Sequence, residues 1–431
     1  MTEMKDSGVA WINTIPKKWK LKKIKYALKN RNENNNPIRS KNILSLTAKQ
    51  GVIPLEEKEG GGNKPKEDYS AYKLAYPNDI VMNSMNVLSG SVGLSKYFGC
   101  VSPVYYMLRP IDEKDDVRYY NYIFQTTVFQ RSLLGLGNGI LMKESDNGKL
   151  NTIRMRIPLD KLGNLLIPVP DSSIQRKIAD YLDSIIPNID MLLADIEKQI
   201  ETLEEYKKSI ITEVVTKGLD PDVEMKDSGS VYWKDIPANW KLSDIKYLFE
   251  IVKRIAGKEG YDILSVTQKG LKIKDISRNE GQIAESYANY QFVYPTDYVM
   301  NHMDLLTGWV DCSKYFGVTS PDYRVFRLKD KKNNLNYYKY IMQCCYMDRI
   351  FYSLGQGVSN LGRWRLQTES FNNFQIPVPP AKEQEQIAKY LDEKCIEIEN
   401  IILDKQQQLE TLEQYKKSLI YEYVTGKKEV K

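Results

Sequence analysis

The scarcest residue is histidine: only His302 is present, which argues against a histidine triad, a histidine zinc site or a histidine proton shuttle. The five cysteines are odd in number and, apart from Cys344 and Cys345, scattered. Neither a disulfide framework nor a CxxC metal site can be drawn, so free thiols are expected. No apolar run approaches the roughly 18 residues of a membrane span, and MTEMKDSGVAW at the start lacks the apolar core of a signal peptide, so the cytoplasm is the expected location. There is no Gly-x4-Gly-Lys-Ser/Thr phosphate loop, no Asp-Pro-Pro-Tyr or Asn-Pro-Pro-Phe adenine-methylation motif and no nuclease carboxylate cluster. These absences predict a chain without catalysis, metal or cofactor of its own.

What is present is an ordinary globular composition, 42% hydrophobic and 27% charged over 431 residues, too long for one core and suited to roughly two to four domains. The net charge is only +6, but its distribution is uneven. Residues 171–216 carry ten acids against five bases and residues 381–425 ten against six, which leaves the remainder strongly basic. Two acidic segments mask two basic bodies.

The chain is one unit written twice. MKDSGVAWINTIPKKWKLKKIKYAL from Met4 returns as MKDSGSVYWKDIPANWKLSDIKYLF from Met225. NILSLT parallels DILSVT, YPNDIVMNSMNVLSG parallels YPTDYVMNHMDLLTG, SKYFGCVSP parallels SKYFGVTSP, and RYYNYIFQ parallels NYYKYIMQ. LGLGNG and YSLGQG follow, then IPVP twice, and last ETLEEYKKSI at 201–210 and ETLEQYKKSL at 410–419. Between the GNG or GQG loop and IPVP the second copy is about nine residues shorter.

Within each copy, short apolar runs such as Asp79-Ile-Val-Met and Tyr105-Tyr-Met-Leu lie between turn residues, the pattern of short strands, and Arg118 to Ser132 reads as helical. The fold class is α+β. Its expected parts are a mixed α/β body at 1–170, a helix at 171–217, a second body at 218–379 and a second helix at 380–431. The helices carry seams stepping by three or four residues. On the first these are Ile178, Leu182, Ile185, Ile189, Leu192, Ile196, Ile200, Leu203, Tyr206, Ile210 and Val214. On the second they are Ile387, Leu391, Cys395, Ile398, Ile402, Leu409, Leu412, Tyr415, Leu419 and Tyr423. Pro187 is expected to kink the first helix, and Lys405 interrupts the second seam. Two exposed seams are costly, so the helices are expected to pack on each other as an antiparallel coiled coil with pseudo-two-fold symmetry. At 1.5 Å per residue each would reach roughly 65 Å, enough to hold two bodies apart.

Two similar basic bodies held apart suit duplex DNA, whose successive faces recur about every 34 Å. Because the bodies are not identical, such a target would be bipartite and asymmetric. MKDSGVAWINTIPKKWKLKKIKY, IPVPPAKEQEQIAKYLD from Ile376 and ETLEEYKKSIITEVVTKGLD from Glu201 resemble the specificity subunits of type I restriction-modification enzymes, over essentially the whole chain and in the family's order. The resemblance implies that each body is a target recognition domain and that the helices set the unread spacer. It also implies two methyltransferase (modification) subunits docked on the helices and restriction/translocase subunits alongside. S-adenosylmethionine, ATP and Mg are expected on those partners, and no membrane is involved.

Candidate DNA-contacting residues each have a plainer reading. Lys17, Lys18, Lys20 and Lys22 head a basic run that is either a solvated face or a phosphate contact. Lys49 and Gln50, and Gln268 and Lys269, lie just past strand ends, where loops reach a groove or merely turn. Asn138 and Gln356 hold an amide at the same place in the glycine-rich loops; an amide bonds adenine in bidentate fashion, or the glycines serve a tight turn needing positive φ. Arg154, Arg156, Arg363 and Arg365 lie where the copies diverge, suiting guanine recognition or a surface ion pair. The SKYFG aromatics read as core or turn packing before base stacking, Asp79 and Asp297 as turn residues, and His302, which replaces Ser84, as structural. Three other roles remain open from sequence: a self-sufficient enzyme, a protein-only coiled-coil adaptor and a silent specificity subunit used for target switching.

Overall fold

Tyr105–Pro110 is the strand around which the first body is built. Its residues alternate between two faces, as the period of a strand requires. Tyr106 and Leu108 join Leu28, Ile80 and Met82 in the larger core, which a helix covers; Met107 joins Leu44, Val52, Ala75 and Val81 in a smaller one. The sheet is antiparallel, in the order Leu28–Arg31, Tyr105–Pro110, Ile80–Asn83, Val92–Leu94. The second copy repeats it as Phe249–Val252, Arg324–Leu328, Tyr298–Met300, Val310–Cys312. There Tyr298, Met300 and Phe326 face the larger core and Val299 and Val325 the smaller. This computed structural model describes residues 3–47, 50–58, 65, 67–86, 90–139, 143–144, 150–151, 155–275, 286–357 and 364–430.

Each IPVP tetrapeptide ends a body in a strand. Leu166–Val169 pairs with Lys20–Lys23, and Gln375–Val378 pairs with Lys241–Asp244. The long helices follow at Ser172–Lys217, continuous through Pro187, and at Ala381–Val424. The chain separates into two compact units that interleave in sequence, Met1–Ile196 with Gln407–Lys431, and Glu197–Gln406. Each unit therefore holds one body, the start of the helix after that body, and the end of the helix after the other body.

Within both units the helices run antiparallel. In the first, the Tyr181 and Tyr423 rings lie 4.5 Å apart and Asp190 pairs with Lys416. In the second, Lys207 pairs with Glu399, and Ile210 and Val214 share a core with Ile387 and Leu391. Of the seam residues, Ile178, Leu182, Ile189, Ile210, Ile387, Leu391, Ile398 and Leu419 are buried, while Ile196, Ile200, Leu203, Leu409 and Leu412 are half-buried. Leu192, Tyr206 and Tyr415, on the same period, are half exposed.

Equivalent polar bolts join helix to body. Buried Gln175 accepts from the Asp116 N–H and donates to the Pro170 carbonyl; Gln384 does the same with Asn334 and Pro379. The buried Tyr119 hydroxyl lies 2.9 Å from the Val424 carbonyl and 3.1 Å from that of Pro168, and Tyr337 meets Val215 and Pro377 likewise at 3.4 and 3.0 Å. The repeated ETLEEYKKSI turn thus leads, in each copy, to a helix end that closes the core of the opposite body.

Both helices stop at a glycine in the left-handed region, Gly218 at φ 81° and Gly426 at φ 72°. A Cβ on Gly426 would lie 2.6 Å from Pro16 and 2.9 Å from Trp19. Gly426→Ala is therefore expected to cost roughly 2 kcal/mol, from backbone strain plus the clash, read as a lowered denaturation midpoint. An unchanged midpoint would mean that this helix end does not anchor the first body.

Candidate nucleic-acid interface

The glycine-rich loop of the second unit is shaped by a tryptophan. A Cβ on Gly355 would lie 2.3 Å from the Trp364 ring, and one on Gly357 would lie 2.4 Å from it. Trp364 is held there by a 2.6 Å bond from its indole N–H to the Tyr352 carbonyl and by stacking on the Tyr352 ring. The glycines at 355 and 357 thus permit close approach of an indole; positive φ, the reason expected from the turn reading, is found only at Gly135 of the first loop.

With the loop clamped in this way, Gln356 and Arg365 face each other across an antiparallel bridge, N–H to carbonyl in both directions at 2.9 and 3.0 Å. Both are exposed, and neither side chain has a hydrogen bond or ion pair within the described residues. In the first unit Asn138 and Arg156 are antiparallel partners too, between Asn138–Gly139 and Met155–Arg156. Although the intervening segments differ in length by nine residues, both bodies bring an amide residue and an arginine together.

The support behind each pair is also equivalent. The Ser84 carbonyl accepts from Ile157 and the His302 carbonyl from Leu366, both at 2.9 Å. Tyr106 donates to the Ile157 carbonyl at 2.9 Å, where the second unit uses Arg324 on the Leu366 carbonyl at 3.1 Å. Arg324 is buried, stacks on Phe371 and leaves its Nη1 without a partner. Burial, and then the charges of Arg324 and Arg365, push the imidazole pKa of half-buried His302 down to about 3.

That shift has a pH consequence. The folded value lies below the unfolded one near 6.5, so the unfolded chain binds the proton first and stability is lost as pH falls from about 6.5 towards 3. His302→Ser, which copies Ser84, is expected to remove roughly 2–3 kcal/mol of that loss at about pH 4.5. Acid unfolding curves of the two proteins that run parallel would contradict it.

The remaining candidates lie elsewhere. Lys20 and Lys22 are exposed on the strand paired with Leu166–Val169; Lys18 is exposed in the preceding turn, and Lys17 pairs with Glu3. Gln50 is exposed between Leu44–Thr47 and Gly51–Pro54, and Gln268 and Lys269 form the exposed tip of the matching hairpin Leu264–Thr267/Gly270–Ile273. Lys49, Arg154 and Arg363 fall outside the described residues. Asp79 and Asp297 are turn residues, accepting from the Tyr76 and Tyr294 N–H groups, and each also forms an ion pair, with Arg31 at 3.2 Å and Arg254 at 2.6 Å. Phe98 and Phe316 are not core residues; they stay part-exposed against Tyr76 and Tyr294. Among the described residues no helix is long and apolar enough to cross a membrane, and no group of three or more His, Cys, Asp or Glu is placed to hold a metal.

Residues 237–413 match the family model of the type I restriction modification DNA specificity domain. The type I restriction enzyme MjaVIII specificity subunit of Methanocaldococcus jannaschii is 26% identical over 285 residues, spanning 62% of this chain and 63% of that protein. The chain is thus similar to the specificity subunits of type I restriction-modification enzymes. A solved chain described as "Structural basis underlying complex assembly and conformational transition of the type I R-M system" superimposes with a TM-score of 0.66, covering 96% of this chain and 99% of that one. At 12% identity that likeness shows a shared fold.

Within this fold, the residues expected from the sequence did not include the supporting Tyr106, Arg324 and Trp364. The signal for Trp364 was its place in GRWRL, but it lies seven residues past Gly357 and meets the glycine-rich loop only through folding. For Tyr106 and Arg324 the signal was a phenol replaced by a guanidinium at the matching position of the central strand. The tyrosine bolts had a stronger signal, the identical Tyr-Tyr of RYYNYIFQ and NYYKYIMQ.

Proposed function

We propose that this chain is the non-catalytic, DNA-reading subunit of a type I restriction-modification assembly. The observation that carries the reading is the amide–arginine pair, built at the same place in both bodies from segments of different length. Amides suit adenine and guanidinium groups suit guanine in the major groove, so each body would read one part of a bipartite, asymmetric target. The division of labour follows the sequence parts: bodies at 1–170 and 218–379 choose bases, and helices at 171–217 and 380–431 set the unread spacer. The helices also dock two methyltransferase subunits, with restriction/translocase subunits joining them. S-adenosylmethionine, ATP and Mg belong to those partners, and the assembly works in the cytoplasm.

Co-expression with a type I methyltransferase subunit, followed by methylation-sensitive long-read sequencing of host DNA, tests this. The expected result is methylated adenine in one split motif that is absent without this chain. A stable complex that methylates no new motif would point to a silent subunit, and failure to form any complex would leave a protein-only adaptor. Removing one heptad from both helices should then change the tolerated spacer and leave both half-sites unaltered; altered half-sites would contradict the division of labour.

A further inference from the structure

In the first unit a pocket of about 490 Å³ opens directly behind Arg156, lined among others by Asn30, Asn32, Lys73, Tyr106 and Asp160. Its polar lining is mostly cationic or donating. Lys73 projects from Lys73–Ala75 and is half-buried, and the only hydrogen bond of its ammonium group in the described residues is to the Tyr105 carbonyl at a long 3.5 Å. Burial first, and then the nearby charge of Arg156, push the Lys73 pKa down. Neither Lys73 nor Arg156 has a carboxylate partner within the described residues. Asp160, the one acid on the wall, is exposed, so solvent screens it. The Asn30 side-chain oxygen is occupied by the Met107 N–H, which leaves its NH2 group available as a donor.

The corresponding place in the second unit is built differently. Pairing register puts Gln291 where Lys73 stands, opposite Thr319 and Val101 respectively, and Arg324 where Tyr106 stands, opposite Met300 and Met82. Gln291 is spent on the Ser320 and Tyr323 carbonyls, and Arg324 is buried on Phe371 and the Leu366 carbonyl. Each unit thus keeps one partly desolvated cation behind its exposed arginine. Only in the first does that cation line an open pocket together with free amide donors.

The geometry points to a phosphate-binding site in the first unit, with Lys73 and Arg156 supplying charge and Asn30 and Asn32 supplying donors. Two cations without a carboxylate repel each other, and a phosphate oxygen set between them reverses the sign of that interaction. The phosphate has two possible sources, the backbone of bound DNA or a free phosphate or nucleotide. The first rests on the DNA-reading role proposed above; the second does not.

Two titrations of the full chain separate them. Binding to a random-sequence duplex is measured across a salt series, and inorganic phosphate is titrated calorimetrically. If the backbone fills the pocket, Lys73→Gln should make the slope of log K against log salt shallower by roughly 0.9, the value for one phosphate contact, and Lys73→Arg should restore it. If the source is free phosphate, the slope should stay and the heat of phosphate binding should disappear in Lys73→Gln. Arg156→Gln, at an exposed position, repeats both tests should Lys73→Gln unfold. No response of either titration to either variant would overturn the site. A wild-type chain with no salt-dependent DNA affinity would sink the DNA-reading role and leave the phosphate titration to decide the pocket.

Discussion

Arg365→Ala is expected to weaken binding of a duplex carrying the target by roughly 5- to 150-fold, the ~1–3 kcal/mol attached to one good bidentate contact with a base. The loss should fall on one half of the target only, because Arg156 occupies the equivalent position in the other body. Arg365 makes no ion pair within the described residues, and its backbone is fixed by two hydrogen bonds to Gln356, so truncating its side chain removes a contact and leaves the fold intact. The informative comparison scans base substitutions at each position of the target for wild type and variant. Relaxed preference at one position identifies base reading. Uniform weakening with a reduced salt slope would instead make Arg365 a phosphate contact, and no change would remove the pair from the interface.

Leu391→Ala is expected to destabilise the second unit by about 2–5 kcal/mol, the range for emptying a leucine site in a packed core. Leu391 is fully buried, between Ile387 and the returning end of the first helix around Ile210 and Val214. Leu403→Ala, twelve residues along the same helix at 52% exposure, serves as the control, with an expected cost within about 0.5 kcal/mol. Chemical denaturation followed by circular dichroism reads both. Equal effects would mean that Leu403 is covered in solution, and hence that the helix packs differently from the arrangement described.

Much of this was legible in the chain. The short apolar runs Tyr105-Tyr-Met-Leu and Asp79-Ile-Val-Met, bounded by turn residues, announced strands that the sheet contains, because a short apolar run and its flanking turn residues act locally. The helical seams announced that the helices pack, since a stripe of apolar side chains has to be covered; the antiparallel direction was an expectation that the ring and ion pairs within each unit bear out. The seams did not say where the cover ends: Leu192, Tyr206 and Tyr415 keep the period yet stay half exposed. Periodicity records which face is apolar and carries no information on how far the facing helix extends.

The candidate site divides in the same way. That Asn138 and Gln356 are equivalent, and that arginines cluster where the copies diverge, followed from the internal repeat. That Gln356 meets Arg365, and Asn138 meets Arg156, did not, because the bridge closes across nine residues in one copy and eighteen in the other, and no spacing rule covers both. The glycines of the second loop were legible as glycines but not as a seat for Trp364. The sequence by itself determined the repeat, the kinds of element and the residue chemistry on offer, all of which depend on neighbours along the chain. The tertiary structure alone decided which cations stand without a carboxylate, which amide residue pairs with which arginine along the backbone, and which body each helix end completes. Those outcomes depend on burial and on contacts between distant segments, where desolvation makes an unpaired charge costly and a partner decisive.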